Sequence, residues 1–262
     1  MTSVQGYTGA VMPSPEKVQI DIVVPVLGDD VALQELVETA PLATVDTRWW
    51  VVDGQSSATT QLLCEKLNCH YLASQAGRGH QIALGISRGD APVVWVLHAD
   101  TRFEENAVHA LIECANRQQP FWGRFDVYAP ALQLIARLMN FRSRRSKICT
   151  GDQAMFFSRD LLDSVGGFPQ QVLMEDIEVS KRLKKLHAKK FVACAVPVRM
   201  NIRRWQRYGV ARTVMLMWFY RFAYFCGVEA SRLYRWYYGS EAKVLLGGSE
   251  QRCSSSGSAT ER

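Results

Sequence analysis

Residues 92–97, PVVWVL, carry no polar side chain, and the run ends in His98-Ala99-Asp100. A strand without apolar–polar alternation must be covered on both faces, which is the condition of a central strand in a parallel sheet. The flanking sequence repeats the theme. Residues 20–26 (IDIVVPV) read as a first strand, followed by a helix over 29–40. A second strand over 49–52 ends at Asp53-Gly54, and a helix over 60–67 and a third strand over 70–73 come next. The turn Gly77-Arg78-Gly79 leads into a helix over 80–87, and another helix over 104–117 follows Asp100. Strands alternating with helices predict an α/β fold with a mostly parallel central sheet and helices on both faces.

That layout has a chemical consequence. Open parallel sheets bind ligands beyond the carboxyl ends of their strands. Asp53 and Asp100 each close a strand, so both carboxylates are expected at one crevice, although a strand-end aspartate also serves as a helix cap. The glycine patterns that cradle dinucleotides or triphosphates (GxGxxG, GxxxxGK[ST]) are missing, as is the GxSxG nucleophile elbow. A nucleotide would then be held by carboxylates and a divalent metal. The net charge of +6 is compatible with phosphate-bearing partners and equally with plain solubility.

The seven cysteines are scattered, with no CxxC pair, which points to reduced thiols and a cytoplasmic protein rather than a disulfide framework or a zinc site. The first residues lack the basic start and apolar core of a signal peptide. The longest apolar candidate, 214–228, is interrupted by Arg221 and falls short of the roughly 20 residues that span a bilayer. Residues 1–18 and 241–262 read as mobile tails around a catalytic domain over 19–202 and an aromatic, basic helical segment over 203–240.

The strings VVPVLGDD, VVDGQS, VLHADT, and GGFP followed by MEDIEVSKRLKK resemble, in that order, family-2 glycosyltransferases of the GT-A fold. GRGHQ, WGRFDV, TGDQAMFF and the RRW string resemble one subgroup, associated with radical-SAM/selenium-domain proteins and arsenosugar biosynthesis. The resemblance covers about residues 20–205. It implies an inverting enzyme that moves a sugar from a nucleotide-diphosphate donor, with UDP the expected nucleotide, to a hydroxyl acceptor. On that reading Pro25, Asp53, Arg78, Asp100 and Arg204 serve the donor, with Arg204 in a variant of the family's QxxRW motif that begins at Asn201. The family's DxD motif holds Mn²⁺ or Mg²⁺; here it reads His98-Ala99-Asp100, making Asp100 the expected ligand and His98 a candidate second one. Trp122, Gly151, Asp152 and Glu175 are expected on the acceptor side.

Helix geometry addresses the base. On a helix starting at Glu175, residues Asp176, Val179, Leu183 and Leu186 share one face, while Glu175, Glu178, Arg182 and Lys185 fall elsewhere. Asp176 therefore stands at the head of the buried stripe, and the resemblance makes it the general base. A helix N-terminus also favours an acidic residue for electrostatic reasons alone. In the segment 203–238, arginines interleaved with Trp205, Trp218, Phe219, Tyr220, Phe222, Tyr224, Phe225, Trp236 and Tyr237 suit an anionic membrane surface, or a helical subdomain packed beneath the catalytic one. The first would bring a lipid-linked acceptor and a peripheral place on the membrane's cytoplasmic face. Nucleic acid is not an expected partner. Two alternatives remain open: a non-catalytic nucleotide- or membrane-binding module, suggested by His98 in place of Asp, and a sugar nucleotidyltransferase, disfavoured by the acidic Leu27-Gly28-Asp29-Asp30 turn.

Overall fold

The computed structural model describes residues 18–43, 45–117 and 120–239, except the side chains of Arg204 and Tyr238. Both expected tails lie outside the described residues apart from Val18. The chain runs β1 (Gln19–Val26), α1 (Asp30–Thr39), β2 (Asp46–Asp53), α2 (Ala58–Lys66), β3 (His70–Ala73), α3 (Arg78–Arg88), β4 (Val93–Val96) and α4 (Glu105–Arg117). It continues as β5 (Trp122–Tyr128), α5 (Gln133–Ser146), β6 (Phe156–Ser158), α6 (Arg159–Asp163), α7 (Glu175–His187) and β7 (Phe191–Arg199). Three helices end it: α8 (Arg203–Tyr208), α9 (Val210–Phe225) and α10 (Ala230–Tyr238).

The strands form one sheet in the order β3-β2-β1-β4-β6-β5-β7. β1 pairs in parallel with β2 and β4, β2 with β3, and β5 with β7, while β6 runs antiparallel to β4 and β5. The expected mostly parallel sheet is therefore present, and β4 sits near its centre with all four residues buried, as its unbroken apolar run requires.

Strand periodicity divides the core. Ile22, Val24, Val51 and Trp95 face a layer that includes Leu33 and Leu36 of α1, Leu111 of α4 and Met139 of α5. Val23, Val52, Val94 and Val96 face Ile82 and Ile86 of α3 together with Val179 and Leu183 of α7. The C-terminal helices are anchored at two points. Trp205 of α8 enters the first core layer, and Tyr220, Leu233 and Tyr234 close over Leu173 in the loop before α7. No helix among the described residues is long and apolar enough to cross a membrane. The six described cysteines are free; Cys253 lies outside the described residues.

At the amino end of the sheet, fully buried Asp21 gathers four donors. Arg48 Nε (3.1 Å) and Trp50 Nε1 (2.9 Å) donate to Oδ1, while the Ala91 amide (2.8 Å) and Arg159 Nη2 (2.6 Å) donate to Oδ2. Arg159 also donates to the carbonyls of Ile86 and Ala91, so one carboxylate ties together β1, β2, the approach to β4 and the start of α6. Removing one partner of such a buried pair strands the other charge, at a cost of about 3–5 kcal/mol. Asp21→Ala should accordingly lower Tm by roughly 6–20 °C in a thermal melt. A fall of less than about 2 °C would show that the sheet holds without this carboxylate.

Candidate active site

The carboxyl ends of β1 and β4 open onto a cavity of about 270 Å³ lined by Pro25, Asp29, Arg78, His98, Asp100 and Tyr234, among others. Beside it lies a second cavity of about 340 Å³, bordered by Gly151, Asp152, Asp176, Arg203, Tyr220 and Tyr237. Arg78 and Asp100 belong to both, so they form the wall where the two spaces meet.

Arg78 arrives there because α3 begins against the loop before α7. A Cβ on Gly79 would lie 2.2 Å from the Gln171 carbonyl oxygen and 2.6 Å from that of Pro169, so only glycine permits this approach. Arg78 Nε then reaches Glu175 Oε1 at 2.9 Å. Glu175 was expected on the acceptor side and on a different helix face from Asp176; it is fully buried and lines neither cavity. Its Oε2 has no hydrogen-bond partner among the described residues. Burial pushes its pKa up, with Asp176 adding to the rise and Arg78 opposing it.

Asp176 borders the second cavity with 9% of its surface exposed. Its Oδ2 accepts the Gly151 amide at 2.9 Å, and its Oδ1 accepts the Ile177 amide at 2.7 Å. The buried stripe of α7 continues through Val179 and Leu183, as the spacing predicts, but Leu186 is 61% exposed. Inward positions Ile177 and Ser180 replace it; Ser180 donates to the Asp176 carbonyl at 2.7 Å. Glu178 and Arg182 form the expected pair at 3.1 Å, and Tyr224 of α9 also donates to Glu178 at 2.9 Å.

Gly151 opens a short 3-10 turn over Gly151–Gln153, whose ends are closed by a capping box between Thr150 and Gln153. His98 Nδ1 lies 3.5 Å from Asp152 Oδ1, and a Cβ on Gly151 would sit 2.6 Å from His98 Nε2. Both ring nitrogens thus face the Gly151–Asp152 turn. His98 links the end of β4 to the Gly151–Asp152 turn, and it lines the first cavity together with Asp100.

Two further expected site residues are buried. Trp122 is fully buried at the start of β5, where its indole donates to the His187 carbonyl at 2.9 Å and packs on Phe191, so it lines neither cavity. Asp53 is also fully buried. Its carboxylate accepts the amides of Gln55 (2.8 Å) and Ser57 (2.6 Å) and the Tyr71 hydroxyl (3.3 Å), which fixes the turn into α2 behind the cavity. For Arg204, the side chain lies outside the described residues; its neighbour Arg203 lines the second cavity.

Sequence reasoning missed Asp29, Arg203 and the three tyrosines. Asp29 carried a usable signal, because it follows the end of β1 just as Asp100 follows β4. Its pKa is raised, first by burial and then by Asp100, with Arg203 pulling the other way. No group of three or more His, Cys, Asp or Glu among the described residues could hold a metal unaided. Two neighbouring carboxylates fit a cation of the Mg²⁺ type, which is usually held by one or two carboxylates together with substrate phosphates and water.

No protein-family model matches the chain, and no curated protein matches it in sequence. Solved structures do match in fold. Mannosyltransferase PcManGT from Pyrobaculum calidifontis, in complex with GDP-Man and Mn²⁺, aligns over 87% of this chain and 70% of its own, with TM-score 0.58 and 16% identity. Glucosyl-3-phosphoglycerate synthase from Mycobacterium tuberculosis, in complex with Mn²⁺, UDP and glucosyl-3-phosphoglycerate, aligns over 76% and 77%, with TM-score 0.54 and 15% identity. S. aureus TarS (residues 1–349) aligns over 70% and 60%, with TM-score 0.53 and 13% identity. The fold is GT-A.

The buried Glu175 sets a pH signature. The folded chain holds this proton more tightly than the unfolded chain, so the associated stability is complete at low pH and is lost as pH rises through the raised pKa. Relative to wild type, Glu175→Gln should therefore gain stability as pH is raised from about 4 to about 7. Thermal melts across that range would show parallel curves if Glu175 titrated normally.

Proposed function

We propose that the protein is an inverting glycosyltransferase that transfers a sugar from a nucleotide-diphosphate donor, with UDP the expected nucleotide, to a hydroxyl acceptor. One observation carries this reading: two adjoining cavities share Arg78 and Asp100, and Asp176 borders only the second. A donor in the first cavity would present its diphosphate to the shared wall and its anomeric carbon to the second. The ligands named for the structural neighbours support the donor class.

In this scheme Asp176 takes the proton from the acceptor hydroxyl while that oxygen attacks the anomeric carbon from the face opposite the diphosphate. A single displacement inverts the configuration. The Gly151 amide holds the Asp176 carboxylate in place, and positioned base catalysis of this kind contributes about 10²–10⁴-fold. Arg78 and Arg203 offset the charge that develops on the leaving diphosphate. Asp100, with Asp29, would hold a divalent cation, Mn²⁺ or Mg²⁺; when bound, it supplies Lewis-acid stabilisation of the leaving oxygens. Asp53 contributes by fixing the turn behind the donor, and Pro25 by bordering it.

The C-terminal helices support peripheral contact with an anionic membrane surface. α9 exposes Met215, Trp218, Phe219, Phe222 and Phe225, and α5 exposes Leu134, Leu138 and Phe141. Residues 203–239 carry seven arginines against a single glutamate. Apolar stripes flanked by arginine suit the interface between headgroups and acyl chains.

Two measurements check this reading. Asp176→Asn should lower transfer by about 10²–10⁴-fold with nucleotide binding retained, and full transfer by that variant would remove Asp176 as the base. Melting wild type with UDP, GDP, CMP and dTDP, each with and without Mn²⁺, should give metal-dependent stabilisation of several degrees by one nucleotide, UDP above the rest, at saturating ligand. Asp100→Asn should abolish the metal dependence. Absence of any shift would favour a binding module without transfer chemistry.

A further inference from the structure

Helices α5 and α9 border a groove of about 230 Å³ whose walls are apolar, with Ile135, Leu138, Phe141, Val214 and Trp218 among them. It is continuous with the acceptor cavity, because Trp205, Met217 and Arg221 line both. Arg142 also lines the groove, and its Nε and Nη2 are buried without an acceptor among the described residues. Burial pushes its pKa down, and the carboxylate that opposes this most is Asp176. Hydrogen-bond donors left unmade in a low-dielectric site are costly, and those of a guanidinium more than most. Nε and Nη2 together form one side of the guanidinium fork, which matches the paired oxygens of a carboxylate or a phosphate.

The arrangement has an order: an apolar channel, then an unsatisfied guanidinium, then the carboxylate that would activate a hydroxyl. A carboxylate ends a chain, whereas a phosphodiester carries an anionic centre with one substituent on either side. Only the phosphodiester can place a long apolar tail in the groove and an alcohol beyond the anion, facing Asp176. The exposed Leu138, Phe141 and Trp218 at the groove's outer rim allow such a tail to arrive from a lipid surface. The charge agrees, since residues 133–147 carry five basic side chains and no acidic one.

Building on the glycosyltransferase reading, we propose that the acceptor is a phosphodiester lipid with a hydroxylated head group, its tail in the α5–α9 groove and its phosphate on Arg142. The lipid's phosphate gives the groove-lining Arg142 guanidinium the acceptor it lacks, its buried edge turning to meet the anion, and Arg221 adds a second positive charge at the junction.

The test uses lauroyl lysophosphatidylglycerol below its critical micelle concentration, read through the fluorescence of Trp205 and Trp218, which both line the groove. Glycerol 3-phosphate and monolauroylglycerol serve as the tailless and phosphate-free controls. Saturable binding of one lysolipid per chain is expected, with both controls about tenfold weaker or worse. Arg142→Gln should weaken lysolipid binding about tenfold and erase the preference over monolauroylglycerol. Leu138→Glu, at a 58% exposed position where folding is not at stake, should weaken it as strongly by placing a negative charge on the rim. Both variants should keep the nucleotide-dependent thermal shift, which reports the donor cavity. Non-saturable uptake indifferent to Arg142 would overturn the proposal in favour of simple surface partitioning. A nucleotide shift without lysolipid binding would overturn the acceptor and spare the transferase, whereas lysolipid binding without any nucleotide shift would keep the groove and remove the transferase.

Discussion

The buried carboxylate of Asp21 is the fixed point of this architecture. A carboxylate taken out of water is costly unless donors surround it, and here two arginines, an indole and a backbone amide do so. Because those donors come from β2, the approach to β4 and the start of α6, the amino ends of the sheet are locked together. At the opposite ends a neutral side chain does the bridging: Gln81 of α3 donates to the carbonyls of Val26 and Val52, both at 2.7 Å. There the strands stop and their loops diverge, and the space between the loops becomes the two cavities.

What joins the cavities is a second buried acidic group. Glu175 and Asp176 are adjacent on α7, and they divide the labour. Glu175 turns back to Arg78, linking α7 to α3, and Asp176 stays at the cavity edge under the Gly151 amide. The first contact sets where Arg78 stands between the two cavities, and the second sets where the Asp176 carboxylate stands relative to it. Gly79 and Gly151 matter here too: a methyl group on Gly79 would push α3 away from the loop before α7, and one on Gly151 would displace the His98 ring.

The C-terminal helices serve two surfaces at once. Their inner side supplies Tyr220, Tyr234 and Tyr237 as the outer wall of the cavities. Their outer side leaves a row of large apolar residues in the open, the reverse of an ordinary amphipathic helix, whose apolar stripe faces the core. The aromatic–arginine segment therefore packs on the sheet-bearing part of the chain and still turns an apolar face outward.

Much of the sheet was legible in the chain, because strand burial writes itself locally. The unbroken PVVWVL run marked a central strand, and the strand-end rule placed Asp100 at a crevice. The inward aim of Asp176 followed from a 3.6-residue period, which needs only neighbours on one helix. Other features depended on partners far away in sequence. Asp53 obeyed the same strand-end rule, yet its oxygens were claimed by the amides of its own turn, a choice made by local loop geometry. Glu175 was expected on the acceptor side, but Arg78, nearly a hundred positions earlier, meets its carboxylate at 2.9 Å inside the fold. Trp122 sat in a motif that suggested the acceptor side, but a carbonyl at the end of α7 took its indole into the core. Periodicity and composition fix which residues must be buried, since that depends on a residue's own chemistry and spacing. Which polar groups meet once buried is decided by packing, because a hydrogen bond or ion pair needs contact at about 3 Å and the sequence does not state who is near.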